Sequence, residues 1–336
     1  MVRNRHVNIP IFVPHIGCPH TCVFCDQRKI SGTRSALSPQ MVRALLEESL
    51  STVGPRDDAE IAFFGGSFTG IPETLMIDYL EAASPFFRSG KVRGIRLSTR
   101  PDNISPRILD ILKAYGVTSV ELGVQSLDNE VLKLSQRGHT IKDVETACGL
   151  IKKWGFKLGI QVMLGLPGDT FGKTMKTAYG VLGLKPDMIR LYPVLVLKDT
   201  ELELLYRSGR YKPLTLEEAI SWCAAVLPLF TRENITVLRV GLHAAETLED
   251  SIVAGPYHPA FGELVESRIL YARIIEQLNA MNLPAKGRMT VRVRPELMSK
   301  LIGQKRSNVK ALQGKYGLDI KVLADSRVES FEIQID

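Results

Sequence analysis

No stretch of this chain reaches the roughly 18 uninterrupted apolar residues that a membrane span needs. Its N-terminus, MVRNRHVNIP, is too short and polar for a secretory leader. Both absences point to the cytoplasm, where thiols stay reduced. Cysteine is scarce: five in 336 residues, an odd number and partly clustered, which rules out a disulfide framework. What is left has a mean hydropathy near zero and is 45% hydrophobic. It is long enough for one large α/β domain and a small appendage. A net charge of +7 permits a polyanionic partner without establishing one.

Three of the five cysteines stand at C-x3-C-x2-C spacing, Cys18, Cys22 and Cys25, with no fourth beside them. A closed structural zinc site takes four ligands. His15 and His20 are near enough to complete one, so zinc is the alternative reading. The spacing better suits a 4Fe–4S cluster, because each iron needs one ligand beyond the sulfides and three thiolates leave one iron open. An open iron belongs to a catalytic cluster. Cys148 and Cys223 fall within helical patterns and read as small buried hydrophobes.

Apolar β-rich runs alternate with helix-period segments. NIPIFVP, EIAFFGG, VRGIRLST, TSVELGVQS, FKLGIQVMLGLPG and DMIRLYPVLV read as strands. Ser38-Pro39 and Ser105-Pro106 each pair an N-cap with a first-turn proline. Such alternation predicts an α/β fold with a parallel sheet and right-handed crossovers. Six βα units predict a partial (β/α)6 barrel, and TVLRVGL is a candidate seventh strand. Functional groups in such sheets collect where strands end.

The cysteine spacing, with Phe24 just before the last thiol, resembles the signature of radical S-adenosylmethionine enzymes. That resemblance implies an open iron that chelates the amino and carboxylate groups of S-adenosylmethionine. Reduction then releases a 5′-deoxyadenosyl radical. It also implies roles for the strand ends. Gly65 and Gly66, followed by Ser67, take the position that hydrogen-bonds the methionine amino group. Thr99 and Arg100 end the third strand. Gln125 and Ser126 end the fourth, where a glutamine grips ribose hydroxyls. Arg137 stands where relatives hold the methionine carboxylate. Gln161 and Met163 fall on the fifth strand beside the ribose, although porphyrin-type relatives have an acid where Gln161 stands. Gly165, Leu166 and Pro167 form a turn next to the adenine.

From LSTRPDNIS through ELGVQS, QRGHT, GIQVMLGLPGDT and RLYPVLVLKDTELELLYRSGRYKPL, the chain resembles the radical domain of the Elongator catalytic subunit. That family modifies the wobble uridine of tRNA, so tRNA is the implied substrate. A low-potential donor such as a flavodoxin or ferredoxin is the implied reductant. About a hundred residues follow TVLRVGL, too few for that family's acetyltransferase-like domain, so the acyl source or the added group is expected to differ.

The expected division is 1–245 for the barrel, 246–285 for an extension whose amphipathic helix packs on the barrel, and 286–336 for a small domain. From Lys286 onward there are eleven basic and six acidic residues. The β-α-α-β-β pattern and the turn LIGQKRSNVKAL resemble a KH domain, whose glycine-rich turn clamps RNA backbone. Gly303 is present, but Arg306 replaces the second glycine. Lys305, Arg306 and Lys310 are expected to contact RNA by charge. A radical enzyme acting on a small molecule such as a tetrapyrrole, and a non-enzymatic iron–sulfur or zinc RNA-binding protein, are the competing readings. His243, Tyr257 and His258 are candidates for the substrate mouth or for local loop bonding.

Overall fold

The computed structural model describes residues 6–13, 16–18, 22–26, 37–54, 57–242, 246–281 and 287–335. The chain divides into two compact units, Met1–Thr215 with Leu229–Tyr257, and Leu216–Pro228 with His258–Asp336.

The first unit is built on a parallel sheet of seven strands. These are β1 (His6–Val13), β2 (Asp58–Gly65), β3 (Gly94–Thr99), β4 (Val117–Gln125), β5 (Lys157–Leu164), β6 (Met188–Pro193) and β8 (Thr236–Val240). They neighbour one another in chain order, a curled partial barrel to which the seventh strand is added after the six expected units. Both faces of such a sheet are covered, so Ile61, Phe63, Ile95, Leu97, Leu122 and Leu191 are completely buried. Six helices serve the five crossovers between β1 and β6. These are α1 (Pro39–Ser51), α2 (Glu73–Arg88), α3 (Pro106–Ala114), the pair α4 (Asn129–Leu134) and α5 (Ile141–Lys153), and α6 (Phe171–Gly183). Their starts are set locally. Ser38 Oγ accepts from the Met41 amide at 3.2 Å and Ser105 Oγ from Ile108 at 3.4 Å, each with proline at the first position. Thr140 and Asp143 form a reciprocal capping box on α5. After β6 come a two-residue strand β7 (Val196–Leu197), the helix α7 (Glu201–Arg207), the helix α8 (Leu216–Arg232), whose Leu216–Pro228 portion is counted in the second unit, and α9 (Glu246–Glu249). The strand β9 (Ile252–Ala254) then pairs with β7.

The second unit carries α10 (Phe261–Asn279) and a three-stranded sheet of β10 (Arg288–Val293), β11 (Asp319–Ala324) and β12 (Phe331–Ile335), in the order β11-β10-β12. Strand β10 runs parallel to β11 and antiparallel to β12. Between β10 and β11 lie α11 (Met298–Ile302) and α12 (Ser307–Tyr316), so the element order is the β-α-α-β-β expected. The amphipathic helix read as packing on the barrel, α10, sends Leu270, Ile274 and Leu278 into one core with Met289, Val291, Leu301 and Leu312. The turn between α11 and α12 places Lys305 (φ 52°) and Arg306 (φ 61°) in the left-handed region. Asn308 Nδ2 donates to Ser267 Oγ at 2.9 Å and to the Leu301 carbonyl at 3.1 Å, which holds that backbone in place. Cys148 on α5 and Cys223 on α8 are buried, and burial pushes both thiols up to about 12, as inert core residues require.

Candidate active site

The cysteine loop follows β1 and is drawn tightly against the turn that follows β2. A Cβ on Gly17 would fall 2.3 Å from the Ser67 carbonyl oxygen and 2.7 Å from the Ile71 nitrogen, so only glycine allows this approach. Cys18 is thereby set beside Ser67, and Cys22 is buried. Burial pushes the Cys18 thiol up, opposed by the Ser67 backbone amide, Arg100 and Arg137. The Val23 amide donates to the Ser135 carbonyl at 3.3 Å, and the Val23 carbonyl accepts from Leu202 N–H at 2.7 Å. Phe24 packs in a core with Val131, Leu166, Leu202 and Tyr211.

Two buried guanidiniums face the thiols. Gln136 (φ 53°) turns the chain after α4 and delivers Arg137. Arg137 Nη1 donates to Cys22 Sγ at 3.0 Å and Nη2 to the Gly123 carbonyl at 2.6 Å. Arg100 makes a fork to Asp102, 2.9 Å on each arm, and also donates to the Arg137 carbonyl. Burial works against the charge on Arg100, but Asp102 and the nearby thiols raise its pKa. Arg137 Nε and Arg100 Nη1 are buried with no hydrogen-bond partner among the described residues. A buried charged donor left unused calls for an anionic acceptor. Ser67 Oγ ties the ends of β2 and β3 together through Thr99 Oγ1 (2.8 Å), Asn103 Nδ2 (2.7 Å) and the Arg100 amide (3.2 Å).

Strand β4 slips register against β5 between Gly123 and Gln125, and Gln125 adopts φ 70°. A bulge of this kind re-aims a side chain, and a left-handed non-glycine costs energy that functional sites often bear. Gln161 Nε2 donates to Gln125 Oε1 at 3.1 Å. One cavity of about 180 Å³ is lined by Cys18, Cys22, Phe24, Cys25, Gly65, Gly66, Ser67, Thr99, Arg100, Gln125, Arg137, Gln161 and Met163.

Four residues expected at the cofactor do not line this cavity. Ser126 is buried and its hydroxyl accepts from the Asp128 amide at 3.1 Å, helping to shape the entry to α4. Gly165, Leu166 and Pro167 are buried in the turn after β5. Other lining residues went unread in the sequence, among them Ser98, Glu121, Gly123, Tyr192, Leu195 and Leu242. Strand alternation was their available signal, since Glu121 and Gly123 on β4 share a face, as do Arg190 and Tyr192 on β6. Glu121 is held by Arg190 at 2.6 Å and Arg96 at 3.4 Å, and Arg96 reaches Glu60 at 3.1 Å.

Among the described residues, no three His, Cys, Asp or Glu side chains converge on a single metal-ion position. A 4Fe–4S cluster meets each thiolate at a different iron, so three thiols spread around one cavity fit it. His15 and His20, the zinc alternative, lie outside the described residues, as does His243. Tyr257 donates to Glu249, and His258 Nδ1 accepts from the Ala260 amide at 3.0 Å, local bonds of the ordinary loop kind. Gly303, Lys305, Arg306 and Lys310 belong to the second unit.

The radical SAM superfamily model matches residues 12–178, and the Radical_SAM C-terminal domain matches 186–270. With the partial barrel and the three-thiol cavity, this defines the class: the chain belongs to the radical S-adenosylmethionine superfamily. Within that class it is 31% identical over 261 residues to the tRNA uridine(34) acetyltransferase of Methanocaldococcus infernus, covering 65% of this chain and 49% of that protein. It is also 31% identical to human Elongator complex protein 3, again over 65% of this chain and 49% of the relative. The structure of an N-terminally truncated Elp3 from Methanocaldococcus infernus aligns with a TM-score of 0.62 at 25% identity, over 83% of this chain and 64% of that one. The chain spans about half the length of the curated relatives it matches.

Proposed function

We propose that this protein cleaves S-adenosylmethionine reductively at a 4Fe–4S cluster and directs the resulting chemistry at a tRNA base, the wobble uridine. The observation that carries the reading is one cavity lined by three thiols and two buried guanidiniums that each retain an unused donor. When bound, the reduced cluster supplies one electron for scission of the sulfonium, and with it the hydrogen-abstracting chemistry of the superfamily. The residues of the chain do the rest. Cys18, Cys22 and Cys25 each hold one iron as thiolates, giving up their protons on binding. Arg137 grips the methionine carboxylate, and the Gly65-Gly66-Ser67 backbone takes its amino group. Gln125 and Gln161 offer amide groups to the ribose hydroxyls. Phe24, Leu195 and Leu242 give the cavity an apolar wall that keeps water from reactive species. A low-potential flavodoxin or ferredoxin supplies the electron.

The tRNA substrate rests on the names of the relatives and on the second unit. There, Arg288, Arg292, Arg294, Lys300 and Arg327 are engaged in ion pairs. Lys305, Arg306 and Lys310 are exposed and make no such pair among the described residues. Free cations clustered at a fixed turn suit RNA phosphates. Nucleoside mass spectrometry of tRNA from a deletion strain tests the assignment. Loss of a wobble-uridine modification supports it, and an unchanged nucleoside profile overturns it.

A further inference from the structure

The segment Val196 to Leu214, part of the RLYPVLV…RYKPL stretch, has no role in the assignments above, yet it touches both the cysteine loop and the turn that follows β5. At one end, buried Leu202 donates its amide to the Val23 carbonyl of the cysteine loop at 2.7 Å and packs with Val23 and Phe24. At the other end, buried Tyr211 donates its hydroxyl to the Gly165 carbonyl at 2.6 Å. Leu214 covers the same turn closely: a Cβ on Gly165, whose φ is +82°, would lie 2.8 Å from Leu214 Cγ. From below, the Gly165 amide donates to Asp169 at 2.9 Å, and Asp169 also accepts from Thr174 Oγ1 at 2.8 Å. The backbone of the turn is thus fixed at its carbonyl by Tyr211 and at its amide by Asp169. Between the two ends the segment is braced by its own hydrogen bonds. Thr200 caps α7, and the Arg210 and Tyr211 amides both donate to the Leu205 carbonyl, at 2.9 and 3.1 Å. Burial pushes the Tyr211 phenol up, so it stays a donor at neutral pH.

We propose that this segment is a strap that fixes the spacing between the cysteine loop and the turn after β5, with Tyr211 as a positioning residue for S-adenosylmethionine. The proposal rests on the cofactor reading above. Gln161 and Met163 on β5 line the cavity just before that turn, so a cofactor held between them and the thiols needs that spacing set to a fraction of an ångström. The test uses full-length, anaerobically reconstituted Tyr211→Phe. It should keep four irons per chain and an unaltered spectrum of the reduced cluster without cofactor. Its Kd for S-adenosylmethionine should rise about tenfold if that bond sets the position of β5's end. The change that S-adenosylmethionine induces in the cluster's electron paramagnetic resonance spectrum should shrink, which loss of stability alone would not cause. A Kd within about twofold of wild type, with iron intact, overturns the strap. Should Tyr211→Phe fail to fold, Leu214→Ala is measured instead, with the same expected rise and the same overturning result. Arg137→Ala is run beside both. If it too binds normally, the cofactor reading has failed; if it alone binds weakly, only the strap has.

Discussion

Arg137 reaches a thiol and a backbone carbonyl with two of its nitrogens and leaves the third unused in a buried site. A guanidinium so placed has a direct consequence. Arg137→Ala should keep its iron and lose at least about tenfold in affinity for S-adenosylmethionine, measured by equilibrium binding. Arg137→Lys should lie between, because a point charge keeps the attraction but cannot reach the Cys22 thiol, the Gly123 carbonyl and a ligand at once. Two residues on, burial and the Arg137 guanidinium push the His139 imidazole down to about 4, with Asp102 partly opposing. The unfolded chain therefore binds a proton near pH 6.5 that the folded chain refuses until about pH 4. Stability then falls as pH drops through that window, by about 3 kcal/mol for this group. Chemical denaturation at pH 7 and pH 4.5 should show the loss, and His139→Leu should reduce it. Equal pH dependence in both proteins would show that His139 is not its source.

At the level of elements, β3, β4 and β6 bring Arg96, Glu121 and Arg190 together inside the barrel, and Glu60 on β2 extends the chain of charges. Removing one partner of such a buried set leaves the others uncompensated. Glu121→Gln should destabilise the protein by about 3 kcal/mol in urea denaturation, whereas an exposed pair such as Arg43–Glu47 should contribute under about 1 kcal/mol. These elements also show what the sequence discloses. Alternating apolar runs, capping serines and the cysteine spacing are local signals, so the strands and the three thiols were legible. The Gln125 bulge, the Glu121 network and the Tyr211 bond join residues 25 to 69 positions apart, and no local pattern announces such pairings. Helix α10 shows the same limit. Its periodicity marks a buried face without naming what covers it, and that face belongs to the core with Met289 and Val291. The turn between α11 and α12 carries its own prediction. Lys305→Glu with Arg306→Glu should weaken tRNA binding sharply and reduce the salt slope by roughly 0.7 to 0.9 per lost phosphate contact. Filter binding at several salt concentrations measures both, and wild-type affinity with an unchanged slope would remove this turn from the RNA interface.

For the whole molecule, the two compact units dictate how its activities are to be separated. Cutting the chain near residue 286 would strip the cover from Leu270, Ile274 and Leu278, so charge reversal at the turn is the cleaner way to test the proposed RNA binding. Every group proposed to hold the cluster and its cofactor lies in the first unit, so the charge-reversed protein should still cleave S-adenosylmethionine without tRNA. The most direct measurement is the yield of 5′-deoxyadenosine from anaerobically reconstituted, dithionite-reduced protein, with iron counted in the same sample. Wild type should carry four irons per chain and release 5′-deoxyadenosine and methionine. Cys18→Ala, Cys22→Ala and Cys25→Ala should each lose the cluster and the product, while Cys148→Ala and Cys223→Ala should retain both. Stoichiometric zinc in place of iron, or no 5′-deoxyadenosine from a fully loaded and reduced protein, would contradict the account.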